Sequence, residues 1–86
     1  MKKDIIELVK KINDETKKEG EKIAEIVNND KELNTWFSKW SYGCGLFEKR
    51  GKEVMEIQKE LRDKGHDIKM NMQSYELYYY GDIKEW

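Results

Sequence analysis

The spacing of apolar residues changes period once along this chain, and the change falls after Lys64-Gly65. Before it, apolar side chains recur every three or four residues, the spacing of one helix face. After it, Ile68, Met70 and Met72 alternate with Lys69, Asn71 and Gln73. Tyr75, Leu77 and Tyr79 then alternate with Glu76, Tyr78 and Tyr80, which is strand spacing. A chain with one such switch folds as helices followed by strands, an α+β arrangement.

The helical part divides further. Ile5, Val9, Ile12, Ile23 and Ile26 form a seam over about 3–28, with Thr16 and Glu19 in the same seam between them. Two structures fit. One is a single long helix. The other breaks between Asn13 and Gly20, where Thr16-x-x-Glu19 has the form of a capping box. The i,i+4 pairs Glu7–Lys11 and Asp14–Lys18 favour the long helix. Asn28-Asn29-Asp30 reads as a stop and restart, with Asn29 as N-cap and Glu32 three residues on. A short helix over 31–41 follows, with Leu33, Trp36, Phe37 and Trp40 on one stripe. Ser41-Tyr42-Gly43-Cys44-Gly45 reads as a turn. A third helix over 46–64 carries Phe47, Gly51, Val54, Ile57 and Leu61 inward. Gly51 on that face allows another element to approach closely, and Gly65 is a natural residue to follow the helix.

In the last segment a hairpin turning at Gln73-Ser74 pairs Met72 with Tyr75, Met70 with Leu77 and Ile68 with Tyr79, all on one face. Gln-Ser is not a favoured two-residue loop, so the turn chemistry opposes the register that the pattern supports. A two-stranded hairpin is marginal alone, so its apolar face should pack on the helices. The whole is one domain, 1–86: three helices (long N-terminal, short aromatic, third amphipathic) followed by a C-terminal β-hairpin. The expected core is Ile23, Ile26, Leu33, Trp36, Phe37, Trp40, Phe47, Val54, Leu61, Met70 and Leu77.

Every aromatic residue lies between Trp36 and Trp86, in a chain that is 41% charged. Aromatics carry the most apolar area per residue, so these groups mark either core or a binding face. There is no proline, which permits long unbroken helices. The net charge is −1, so no overall field draws the chain to nucleic acid or an anionic membrane. The single cysteine, Cys44, excludes an intramolecular disulfide and points to a reducing, cytoplasmic setting. Charges break up the N-terminal apolar residues, so neither a signal peptide nor a membrane span is expected.

No residue set carries recognisable catalysis. Cys44 and His66 are the only thiol and imidazole, and nothing in the sequence places them together. One Cys and one His cannot build a structural zinc site, so no metal is expected. Gly45 to Gly51-Lys52 misses the P-loop spacing by one residue and has Glu53 where Ser or Thr holds magnesium, so no nucleotide or other cofactor is expected. Lys49, Arg50 and Lys52, interleaved with aromatics, suit nucleic acid. Three helices and a hairpin also allow a winged-helix DNA-binding regulator, with 46–64 in the major groove. Glu48, Glu53, Glu56 and Glu60 dilute that helix's charge.

The expectation from these features is a small non-enzymatic protein-binding module. Its size and composition suit an inhibitor or adaptor, for example of a phage or other mobile element, acting on host nucleic-acid machinery. Its contact residues would be the outward aromatics Tyr42, Tyr78, Tyr80 and Trp86. The winged-helix regulator, binding DNA through Lys49, Arg50 and Lys52, is the alternative.

Overall fold

A computed structural model describes residues 2–79. Among them are two helices, α1 (Lys2–Asn29) and α2 (Trp36–Asp63), and two short strands, β1 (Ile68–Met70) and β2 (Leu77–Tyr79). The three-helix expectation is therefore corrected to two long helices and a hairpin.

α1 is continuous because its inner stripe never drifts away. Val9, Ile12, Thr16, Ile23 and Val27 are buried, with Ile5 and Gly20 partly buried on the same face. The spacing 4-3-4-4-3-4 is an eleven-residue pattern, close to the helix's own period. The stripe thus passes through Gly20 and Val27, not through Glu19 and Ile26, and Ile26 is 54% exposed. Thr16 makes no capping box. Its hydroxyl donates to the Ile12 carbonyl at 2.8 Å and accepts from Arg50 Nε at 3.1 Å, so the polar midpoint of the seam is satisfied.

The next helix starts later than Asn29 implied. Asp30 Oδ1 accepts from the Glu32 N–H and helps form a turn. Thr35 is the N-cap, in a reciprocal capping box with Ser38. From there α2 runs straight through Tyr42-Gly43-Cys44-Gly45, the stretch read as a turn. Each glycine costs about 1 kcal/mol in a helix but removes no hydrogen bond. Gly43 also faces α1, where a methyl built on it would lie 3.5 Å from Val27 Cγ2 and 3.9 Å from Ile23 Cγ2. The small residue lets the two helices pack closely. α2 ends as expected at Gly65, whose φ of +95° suits glycine. The N–H of His66 bonds to the Leu61 carbonyl and that of Gly65 to the Arg62 carbonyl, a Schellman pattern.

The hairpin keeps the register the alternation implied: Ile68 opposite Tyr79, Lys69 opposite Tyr78, Met70 opposite Leu77. The further Met72–Tyr75 pair does not form. The Asn71 N–H bonds instead to the Glu76 carbonyl, and the Tyr75 N–H to the Asn71 carbonyl. The Asn71 carboxamide oxygen accepts from the Gln73 and Ser74 N–H groups. Tyr75 takes φ of 58°, which leaves Met72 61% exposed and turns the Tyr75 ring inward. That ring lies on Gly51 and against Phe47, with centroids 5.0 Å apart. Gly51 thus admits the approach that its position suggested.

β1 packs on α2 and β2 on α1. Side-chain amides hold the two outer edges. Asn13 of α1 donates to the Leu77 carbonyl at 2.9 Å and accepts from the Leu77 N–H at 2.8 Å. Gln58 of α2 donates to the Ile68 carbonyl at 2.9 Å. The core is Val9, Ile12, Val54, Leu61, Ile68 and Leu77, with Ile5, Ile57, Met70, Tyr75 and Tyr79 around it. It sits where the hairpin covers the first half of α1 and the second half of α2. The molecule measures 48 × 22 × 18 Å, so the other halves of the helices form a projecting two-helix tip.

Candidate protein-contact surface

Among the described residues, the tip carries most of the exposed aromatic side chains. Trp36, Phe37 and Trp40 were expected in the core, yet they are 76%, 66% and 55% exposed. Two of them hold inward-facing positions: Trp36, Trp40, Gly43, Phe47 and Val54 follow one another at steps of four, three, four and seven along α2, with Phe37 at the side of that stripe. At Val54 the hairpin lies over that face, and at Phe47 the Tyr75 ring does. Toward the tip Ile23 and Val27 of α1 stay buried, but Trp36 and Trp40 of α2 are more than half exposed.

The exposed rings order one another. Trp36 and Trp40 stack with centroids 6.2 Å apart and planes 11° from parallel. Phe37 tilts against Trp40 at 6.1 Å. These rings form a ridge on α2. Beside it runs a mostly apolar groove of about 470 Å³ between the helices, lined on the α1 side by Gly20, Ile23, Ala24 and Val27. Of its lining residues only Lys39 is charged.

The sequence-derived contact residues fall elsewhere. Tyr42 is 48% exposed, but it stands six residues after Trp36, about 240° around the helix, and does not line the groove. Tyr78 is exposed on the outer side of the hairpin beside Glu76. Slight desolvation, then a hydrogen bond and the charge of Glu76, hold its phenol above the ordinary 10.0. Tyr42 and Tyr78 thus belong to different ends of the molecule. Tyr80 and Trp86 lie outside the described residues.

The basic trio is not one patch. Arg50 has a side chain only 15% exposed, occupied by Thr16 Oγ1, the Ile12 carbonyl and Glu53, with Glu15 at 3.7 Å. It is a clamp between α2 and α1. Lys49 and Arg50 share a mixed-charge groove with Lys18, Lys22, Glu15, Glu19 and Glu53, whereas Lys52 borders a different one with Glu48. The 46–64 segment is the second half of α2, not a separate recognition helix.

Cys44 is exposed near the tip, whereas His66 follows the far end of α2. The helical rise between residues 44 and 63 alone separates them by roughly 30 Å. His66 Nδ1 is 2.9 Å from the Tyr79 hydroxyl. Among the described residues there is no group of three or more His, Cys, Asp and Glu side chains that could hold a metal ion. No helix among them is long and apolar enough to cross a membrane.

The sequence held one signal for the exposed ridge. In an antiparallel helix pair joined by the Asn28-Asn29-Asp30 stop, Trp40 falls opposite the last turn of α1, which holds Val27, Asn28 and Asn29, and Trp36 falls beyond its end. That segment offers too little apolar surface to cover two indoles. No protein-family model, curated protein or solved structure matches the chain.

Proposed function

We propose that the protein is a non-enzymatic protein-binding module, an adaptor or inhibitor, whose contact surface is the Trp36–Phe37–Trp40 ridge and the groove beside it. One observation carries this reading: three adjacent large aromatic side chains, each more than half exposed, at the end of the molecule away from its core. Scattered exposed apolar residues are ordinary, but a contiguous aromatic patch is a mark of contact sites. Trp and Tyr are also the side chains most often found as binding hot spots. The proposed face therefore moves from the Tyr-rich tail to the helical tip.

The test is capture by the tagged chain from a matched lysate, with and without nuclease, beside a Trp36→Ser/Trp40→Ser variant. The expected result is a protein recovered regardless of nuclease and lost in the variant, at unchanged far-ultraviolet circular dichroism. A Tyr42→Ala/Tyr78→Ala variant should still capture it. Recovery abolished by nuclease, or equal recovery by the tryptophan variant, defeats the reading.

A further inference from the structure

We infer that the occupant of the aromatic groove is a second copy of this chain, in a two-fold dimer joined through the helical tips. The inference rests on the reading of the groove as a protein-contact surface and names its partner.

A two-fold contact requires one patch to be complementary to itself. This patch has both parts on one face. Trp36, Phe37 and Trp40 make the ridge. The exposed Ala24 forms the trough beside it, with Gly20 and Gly43 at its base where the two helices meet. In a two-fold arrangement the ridge of each copy lies in the trough of the other.

The area is adequate. At 150–250 Å² for a whole side chain, the exposed parts of the three rings present roughly 400–500 Å². Two copies with their trough walls then bury on the order of 1,000 Å², the lower limit for a specific interface and the size of a weak, concentration-dependent dimer. Because Lys39 is the only charged lining residue, closing two grooves together desolvates few ions.

The fold supplies the reason for the opening. The hairpin covers one half of the two-helix layer, with Tyr75 on Phe47 as its last large contact. In the other half Ile23 and Val27 are buried where Gly43 meets α1, while Trp36, Phe37, Trp40 and Ala24 stay exposed with no described hairpin residue over them. A second two-helix tip laid on it completes a four-helix arrangement.

Sedimentation equilibrium of the full chain, from low to high micromolar concentration, tests this. The expected result is a mass rising from one chain to two, with tryptophan emission shifting to the blue over the same range. Trp36→Ser/Trp40→Ser should weaken association at least tenfold at unchanged circular dichroism. Ala24→Arg, which fills the trough from an exposed position on α1, should do the same without touching the ridge. A single-chain mass at every concentration overturns the inference, as does undiminished association in both variants. If the chain stays monomeric yet captures another protein through Trp36 and Trp40, self-association falls and the protein-contact reading stands.

Discussion

Glycine has three different roles in α2, and each gives its own expectation. Gly51 lies under the Tyr75 ring, and a methyl built there overlaps that ring. Tyr75 cannot easily retreat, because its backbone is committed to the turn and Phe47 flanks it. Gly51→Ala is therefore expected to cost about 1–3 kcal/mol in urea unfolding, the usual penalty for overpacking. Gly45 has nothing within 4 Å of such a methyl, so Gly45→Ala should stabilise by up to about 1 kcal/mol through helix propensity. Gly43 meets Val27 at ordinary contact distance and falls between the two. A different residue-scale effect belongs to Tyr78, whose phenol pKa is raised by desolvation and by Glu76. The folded chain holds that proton more tightly than the unfolded chain. Its contribution to stability is complete below pH 10 and is lost as pH rises through the higher folded value. Ultraviolet titration should show a late-titrating phenol that Tyr78→Phe removes and Glu76→Gln moves earlier.

At the scale of elements, the hairpin depends on the helices more than on its own turn. Each strand has three residues, and an isolated hairpin of this size is marginal. Its outer edges are held by Asn13 and Gln58, which supply the hydrogen bonds a third strand would provide. Asn13→Ala leaves both the N–H and the carbonyl of Leu77 without their partner. It is expected to cost about 1–3 kcal/mol and to speed hydrogen exchange at the Leu77 amide well before helix amides are affected. This element was also the most legible in sequence. Strict alternation sets which residues share a face, and that sets the register of Ile68 with Tyr79 and Met70 with Leu77. The loop was not legible, because it depends on Asn71 folding its side chain over the N–H groups of Gln73 and Ser74. The apparent turn at Gly43-Cys44-Gly45 misled for a related reason. Glycine permits a turn but does not require one, and the close contact with Val27 and Ile23 favours helix there.

Over the whole molecule, stability and contact surface are separated along its length. Ile68 is fully buried at one end and Trp36 is 76% exposed at the other. Ile68→Ala is expected to cost about 2–5 kcal/mol. Trp36→Ala should stay within about 1 kcal/mol of wild type, although a buried tryptophan would cost several times that. Urea midpoints of the two variants, taken at low concentration where the chain is monomeric, check both statements, and a large loss there for Trp36→Ala would place that ring in a core. Charge follows the same division. Arg50 is drawn inward to Thr16, so the position that looked most like a phosphate contact serves to join the helices. By itself the sequence determined the kinds of element, helices before a hairpin, and the strand register, though not that the helices number two. These follow from local periodicity, which repeats at 3.6 or 2 residues whatever the rest of the chain does. It did not determine whether Trp36, Phe37 and Trp40 lie inside or outside, since a stripe shows which way residues point and not what lies opposite. Tertiary structure decided that, because the hairpin is long enough to cover only half of the face that the two helices share.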